Sequence, residues 1–236
     1  MRLKACLNGT RHPEEHPALP VTPAQLATAA RACVQAGVFA LHLHPRDGQG
    51  RESLAAWDVA DALNAVRSAC PGIPVGISSG YWILPDVDGQ LAAAKAWHVK
   101  PDFVSVNWHE PHAVALAGEL LRLGIGVEAG LWTRASTQAF LTWPPRDRVT
   151  RVLVELLGDA DTLDDARAIL RALDAVAAPR LLHGAGPGCW PLLREAARLG
   201  LDSRVGLEDT LTLPGGRVAA DNAELVRTAF DLTARP

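Results

Sequence analysis

Eight short apolar runs alternate with amphipathic helical patterns along this chain, and that alternation constrains the fold more than any other feature. The runs are 3–8, 38–44, 73–78, 102–107, 125–130, 151–156, 180–184 and 203–209. Between them, apolar residues recur at the i, i+3, i+4 and i+7 spacing of one helix face. Each strand-and-helix unit takes about 30 residues, so eight units predict an α/β fold, a (β/α)8 TIM barrel, as a single domain over residues 1–236.

The main alternative fold is a doubly wound open sheet, which binds a dinucleotide at a glycine-rich turn after its first strand. Here the first run is followed by Asn8-Gly9-Thr10-Arg11, which lacks the GxGxxG spacing. Dinucleotide binding is therefore disfavoured.

Composition excludes several classes of protein. A net charge of −3 gives no basic footprint for nucleic acid. No apolar run approaches the roughly 18 residues that are needed to span a bilayer. The N-terminus lacks the apolar segment of a secretory signal, and the four cysteines form no CxxC pair. We therefore expect a cytoplasmic protein that binds neither nucleic acid nor membranes.

Polar residues end every predicted strand, which is where (β/α)8 barrels carry their chemistry. They are Asn8, His42 with His44, Ser78 with Ser79, Asn107, Glu128, Glu155, His183, and Glu208 with Asp209. The strand interiors are otherwise apolar, so we interpret this ring as candidate metal-binding, proton-transferring and hydrogen-bonding groups. The lysines Lys4, Lys95 and Lys100 are expected at the base or outside of the barrel, which disfavours Schiff-base chemistry.

The sharpest local motif is His42-Leu43-His44, because side chains at i and i+2 of a strand share one face. Closing an eight-stranded barrel places strand eight two positions from strand two, roughly 10 Å away at about 4.8 Å per strand. Glu208 at the end of strand eight could then complete two histidines and a carboxylate, a common catalytic zinc set. The alternative is that one histidine satisfies a core hydrogen bond and the other lies on the surface.

Six segments of the chain resemble the β-keto acid cleavage enzyme family, which includes the 3-keto-5-aminohexanoate cleavage enzyme. They are 8–23, 41–51, 76–82, 105–111, 127–132 and 204–211, so the resemblance runs from about Asn8 to Asn222. The HLHPRD and GLED motifs are the most specific. The resemblance implies a (β/α)8 barrel enzyme that condenses a β-keto acid with acetyl-CoA into acetoacetate and a new CoA ester. It also implies a homo-oligomer.

The resemblance assigns roles to individual residues as well. It implies one Zn²⁺ on His42, His44 and Glu208, with Arg204 and Asp209 as the proton-transfer pair. A Lewis-acidic zinc ion would lower the pKa of the carbon next to the keto group, and a neighbouring carboxylate could take its proton. Arg204 and Asp209 lie five residues apart, so Asp209 must leave regular strand geometry for the two to meet. The alternatives are a capping role for Asp209 and a barrel-floor ion pair for Arg204.

The same resemblance implies that Ser78, Ser105 and Asn107 bind the substrate. Glu128 falls where the family has a strand-five glutamate, and we favour a pocket role for it over a buried structural ion pair.

The segment after the first strand departs from the family member that cleaves an amino-substituted β-keto acid. That enzyme carries a glutamate where this chain has Thr10 or Arg11. If Arg11 points into the barrel mouth, its charge would repel a cationic tail, so we predict a preference for neutral or acidic β-keto acids. The alternative is that Arg11 stays in the loop and pairs with Glu14 or Glu15.

Three alternative functions stay open. A zinc-dependent hydrolase would use the same metal to activate water, and another carbon–carbon lyase would act on a small oxoacid, in both cases without CoA. A non-catalytic barrel that binds an oxoacid or a metal is the third alternative.

Overall fold

Strands and helices alternate in this protein as the sequence predicts. The computed structural model describes residues 1–157 and 162–234. The strands are β1 (Leu3–Cys6), β2 (Ala40–Leu43), β3 (Val75–Ser78), β4 (Phe103–Asn107), β5 (Gly126–Leu131), β6 (Arg151–Leu157), β7 (Arg180–Ala185) and β8 (Ser203–Val205). The helices are α1 (Pro23–Gln35), α2 (Ala56–Ala69), α3 (Val87–Ala96), α4 (Ala113–Arg122), α5 (Arg134–Leu141), α6 (Thr162–Ala172), α7 (Cys189–Arg198) and α8 (Asn222–Thr233).

Local sequence signals set the helix boundaries, and α1 shows how. The Thr22 hydroxyl accepts a hydrogen bond from the Gln25 backbone N–H at 3.3 Å, and the Gln25 side chain accepts one from the Thr22 N–H at 2.9 Å. This reciprocal cap satisfies two backbone donors that a helix start leaves open. Gly37 follows the helix with φ 104°, a conformation that glycine adopts without a steric penalty.

The eight strands form one parallel sheet that curves into a nearly closed (β/α)8 TIM barrel. The strand order is β7-β6-β5-β4-β3-β2-β1-β8. The seam lies between β7 and β8, where the Leu182 N–H donates to the Asp202 carbonyl at 3.0 Å and the Ser203 hydroxyl donates to the Leu182 carbonyl at 2.8 Å. The predicted fold class is therefore confirmed, and strands two and eight both neighbour β1 as closure requires.

The last strand is shorter than the sequence suggests, because the chain turns after Val205. The Asp209 and Thr210 N–H groups both donate to the Gly206 carbonyl, at 2.9 and 3.0 Å. A Cβ on Gly206 would lie 1.9 Å from the Cys6 carbonyl oxygen, so only glycine allows this close approach. The prediction that Glu208 belongs to strand eight is wrong, and both Glu208 and Asp209 lie in the turn.

Three charged residues fill the base of the barrel. Glu128 accepts hydrogen bonds from Lys4 Nζ and Arg151 Nη1, and the side chains of Lys4 and Glu128 are fully buried. Burial alone would raise the pKa of Glu128, but the two cations outweigh it and hold that pKa below its usual value. In the part of the chain that the structure describes, no helix has the length and apolar character to cross a membrane.

Candidate active site

A cavity of about 200 Å³ opens at the carboxyl ends of the strands. It collects many of the polar residues that end the strands, together with a few aromatic and aliphatic ones. Its lining consists of Thr10, His42, His44, Ser78, Trp82, Ser105, Asn107, Trp132, Leu153, Glu155, Ala185, Arg204, Glu208 and Asp209. Catalytic groups of (β/α)8 barrels gather at this end of the fold, so this cavity is the candidate active site.

His42, His44 and Glu208 converge on one side of the cavity. Glu208 Oε2 lies 3.6 Å from His42 Nε2 and 3.7 Å from His44 Nε2. One ligand atom from each residue lies within 4.8 Å of the other two. Two imidazole nitrogens and a carboxylate oxygen at such separations can bind one divalent metal, and zinc uses this set in catalytic sites.

Two further properties of the triad suit a metal. Glu208 Oε2 is buried and has no hydrogen-bond partner among the described residues, so an ion would satisfy an acceptor that is otherwise costly to bury. Burial, together with the neighbouring His44, lowers the pKa of His42 well below its usual value. His42 is therefore neutral at physiological pH, which is the state in which an imidazole nitrogen binds a metal.

Asn8 and Gly9, directly after β1, position the residues of the triad. The Asn8 side chain donates to the His44 carbonyl and accepts from the His44 N–H, both at 2.9 Å, which fixes the end of β2 against the end of β1. Gly9 has φ 58°, and a Cβ on it would lie 2.5 Å from Glu208 Cγ. Glycine therefore makes the space in which Glu208 reaches the two histidines.

Glu52 is a site residue that the sequence analysis missed. Its Oε1 lies 2.5 Å from His44 Nδ1, and its Oε2 accepts a hydrogen bond from Trp82 Nε1 at 3.1 Å. A carboxylate on Nδ1 fixes the tautomer and orientation of the ring, leaving Nε2 for the metal. Glu52 comes from the loop after β2, which an Arg46–Glu52 bridge folds back over the barrel. No periodicity in the sequence signals that return.

Replacing Glu52 tests this orienting role. We expect Glu52→Ala to weaken metal binding about 10–100-fold, because His44 loses the group that orients it. Glu52→Gln should lose less, since its amide oxygen can still accept from Nδ1. Competition with a chromophoric chelator measures the Zn²⁺ dissociation constant, with Glu14→Gln on an exposed turn as the control. An unchanged dissociation constant in Glu52→Ala would show that His44 needs no such support.

Arg204 and Asp209 meet beside the triad. Asp209 Oδ1 accepts from Arg204 Nε at 3.1 Å and from Nη2 at 2.7 Å, and the same Nη2 donates to Glu208 at 2.8 Å. The turn after Val205 makes this contact, since it brings Asp209 out of strand geometry. Burial raises the pKa of Asp209, and the Arg204 guanidinium opposes that rise. Asp209 Oδ2 is buried without a hydrogen-bond partner in the described residues, so it can accept a proton from a bound molecule.

Ser78 on β3 and Ser105 and Asn107 on β4 also line the cavity. Ser78 Oγ accepts from the Gly80 N–H at 3.2 Å, which leaves its hydroxyl hydrogen for a ligand. Asn107 Nδ2 donates to Glu110 at 3.1 Å. Ser105 Oγ donates to Glu128 Oε2 at 3.4 Å. Ser78 and Asn107 are therefore the more available hydrogen-bonding groups where the resemblance implies substrate contacts.

Two candidate residues lie away from the cavity. Glu128 faces Lys4 and Arg151 at the barrel base, so its carboxylate forms the buried ion pair rather than a pocket wall. Arg11 donates from Nε to the Leu207 carbonyl and from Nη1 to Glu15 at 2.9 Å. Its side chain therefore stays in the loop, and the expected positive charge in the barrel mouth is not found there.

Comparison with known proteins identifies the family. A model of the β-keto acid cleavage enzyme family matches residues 2–235. Structures of ObcA superpose with a TM-score of 0.70 without ligand and 0.73 in a ternary complex with a C4-CoA adduct and oxalate, each at 20% identity. They cover 91% of this chain, which spans 61% and 63% of the two ObcA chains.

A third structure shares the fold over nearly its whole length despite low sequence identity. The 3-dehydroquinate dehydratase from Aquifex aeolicus VF5 superposes with a TM-score of 0.59 at 11% identity, covering 99% of this chain and 98% of its own. At such low identity, these structural likenesses establish the barrel and nothing finer. The match of the family model extends over nearly every residue, and the chain belongs to the β-keto acid cleavage enzyme family.

Proposed function

We propose that the protein is a zinc-dependent enzyme that condenses a β-keto acid with acetyl-CoA and releases acetoacetate and a new acyl-CoA. One observation carries the proposal. His42, His44 and Glu208 converge in a cavity that also contains the Asp209–Arg204 pair. A metal site beside a carboxylate that can accept a proton suits the activation of a carbon acid.

The residues divide the chemistry between them. His42, His44 and Glu208 would hold the zinc ion, which when bound supplies the Lewis acidity that polarises the keto group. Asp209 accepts the proton from the carbon between the keto and carboxylate groups, through the oxygen that Arg204 leaves free. Arg204 keeps the other oxygen in place with two charge-assisted hydrogen bonds.

The proposed reaction needs no reactant besides the β-keto acid and acetyl-CoA. The carbanion left by proton transfer attacks the thioester carbon of acetyl-CoA and expels the CoA thiolate. That thiolate attacks the original keto carbon, and the bond between this carbon and the α-carbon breaks. The products are the new acyl-CoA and acetoacetate, which takes its proton back from Asp209. Ser78 has a free hydroxyl hydrogen and is suited to bind the substrate carboxylate.

Participation of CoA is supported by the family and by one relative. ObcA has been solved with a C4-CoA adduct and oxalate. This chain spans less than two thirds of the ObcA chain, so the residues that would contact CoA are not carried over.

Turnover of a panel of β-keto acids tests the proposal. We expect consumption that requires acetyl-CoA and yields acetoacetate and a second acyl-CoA in equal amounts, measured by mass spectrometry. Consumption without acetyl-CoA would favour a hydrolase or another lyase instead. If the zinc-loaded protein consumes nothing with or without acetyl-CoA, the proposed function is wrong.

Metal analysis tests the zinc site separately. Protein purified without added metal should contain close to one equivalent of zinc, and His42→Ala/His44→Ala should lose most of it because one carboxylate cannot hold the ion alone. His98→Ala is the control, since His98 packs edge-on against the exposed Trp57 and does not line the cavity. Full zinc content in the double variant would place the metal elsewhere.

A further inference from the structure

Glu155 lines the cavity across the barrel from His42 and His44. In the strand order, β6 lies four strands from β2 in either direction around the barrel. Arg151, Leu153 and Glu155 share the inward face of β6 because side chains alternate along a strand. Arg151 is used at the barrel base by Glu128. Glu155 is therefore the charged group that this face presents to the cavity.

The neighbours of Glu155 leave it with spare hydrogen-bonding capacity. Arg204 Nη2 lies 4.0 Å from Glu155 Oε1, while the same nitrogen bonds Asp209 at 2.7 Å and Glu208 at 2.8 Å. His183 Nε2 lies 3.4 Å from Glu155 Oε2. Among the described residues, neither contact meets the geometry of a hydrogen bond. An acceptor facing the cavity is thus available to a ligand.

The charges of the cavity favour a ligand that brings a donor rather than a second anion. Burial alone would raise the pKa of Glu155, but His183 and Arg204 hold it at about 2, so the side chain is ionised at neutral pH. The acidic groups of the lining are Glu155, Glu208 and Asp209, against the single guanidinium of Arg204. A divalent metal would balance these charges. A β-keto acid then adds one negative charge, and a second carboxylate would add another.

The wall beside Glu155 is apolar. Leu153 precedes it on the same face of β6, Ala185 ends the neighbouring strand β7, and Trp132 follows the last residue of β5. A short aliphatic stem can lie along these side chains, and a donor at its end would then meet the carboxylate. Pockets commonly combine apolar walls with one such orienting polar group.

We propose that Glu155 determines substrate specificity by accepting a hydrogen bond from an N–H or O–H group at the tail of the β-keto acid. The identity of the ligand as a β-keto acid rests on the proposed function. Substrates with an ammonium or hydroxyl group on the acyl tail are preferred, and those with a second carboxylate are rejected. This preference replaces the one expected from Arg11, whose side chain does not enter the cavity.

Binding without acetyl-CoA tests Glu155 apart from catalysis. Four 3-oxo acids of equal chain length, ending in an ammonium, hydroxyl, methyl or carboxylate group, are titrated calorimetrically into the zinc-loaded protein. We expect at least one donor-bearing acid to bind about 10- to 100-fold more tightly than the methyl acid, with the carboxylate acid weakest. An advantage confined to the ammonium acid identifies a cationic donor, whereas an equal advantage for hydroxyl identifies a neutral one. Equal affinities for all tails would overturn the proposal.

A single substitution separates recognition from a structural role. Glu155→Gln keeps the size of the side chain but replaces the charge with an amide that can also donate. The donor-bearing acids should lose most of their advantage while the carboxylate acid gains affinity. A uniform loss for all four acids would mean that Glu155 only supports the cavity, and would overturn the proposal. Glu14→Gln on the exposed turn is the control. Should Glu155→Gln not fold, Glu155→Asp should shift the preference toward a longer donor-bearing tail.

Turnover of the same four acids distinguishes this proposal from the proposed function. Acetyl-CoA-dependent turnover without discrimination among the tails overturns the role of Glu155 and leaves the proposed function standing. Selective binding without turnover overturns the proposed function and leaves the role of Glu155 standing.

Discussion

Asp209→Asn is expected to lower turnover about 10²–10⁴-fold while zinc remains bound, because general base catalysis contributes about that much. Asparagine has the same shape and can still accept from Arg204, but its amide cannot take a proton at neutral pH. Substrate affinity should change little, since Asp209 acts on the proton rather than on the substrate carboxylate. The effect should therefore fall on kcat, which steady-state kinetics with the best β-keto acid of the panel measures.

Two controls make this result specific to Asp209. Zinc content and thermal unfolding report whether the turn after β8 keeps its structure, because Glu208 lies next to the substituted residue. Asp88→Asn, on the exposed first turn of α3, removes a carboxylate far from the cavity. Near-normal turnover in Asp209→Asn with full zinc content would mean that another group accepts the proton.

The convergence of His42, His44 and Glu208 could be predicted because the two-residue period of a strand and the closure of the barrel determine it together. His42 and His44 share a face through the two-residue period of a strand, and closure brings the turn after β8 beside them. The exact bounds of β8 could not be predicted. They depend on the contact between Gly206 and the Cys6 carbonyl, which joins residues 200 positions apart.

The sequence does not show how deep in the barrel each inward-facing side chain lies, and Glu128 and Glu155 illustrate why. Both are glutamates on inward faces of neighbouring strands, so alternation treats them alike. The strand register separates them, since Glu128 pairs with Arg151, four residues before Glu155 on β6. The cavity instead receives Trp132, the residue directly after β5.

The conformations of the loops could not be predicted from the sequence either. Arg46 Nη2 donates to the Gly9 carbonyl at 2.9 Å and to the Arg11 carbonyl at 2.7 Å. These bonds hold the loop after β1 so that Arg11 reaches Glu15 instead of the cavity. Contacts between two loops produce no periodic pattern in the sequence. Glu52 could not be predicted for the same reason.

Glu128→Gln is expected to destabilise the fold by about 3–5 kcal/mol, because it leaves two buried cations facing each other without a counter-charge. Lys4 is fully buried and Arg151 nearly so, which gives neither side chain access to water. Chemical denaturation measures the loss in the free energy of unfolding. Lys4→Met/Glu128→Gln should recover part of it, since one of the two uncompensated charges is then removed.

The pH dependence of unfolding adds a second check on Glu128. Its pKa is lowered in the folded state, so its ionised form stabilises the fold above the unfolded value of about 4.5, and this contribution is lost as the pH falls through the folded pKa. Wild-type stability should therefore include a decline below about pH 4.5 that is absent from Glu128→Gln. Glu128→Gln could instead stay within about 1 kcal/mol of the wild type in stability and bind the β-keto acid more weakly. That result would support a substrate-binding role for Glu128 and contradict the structural one.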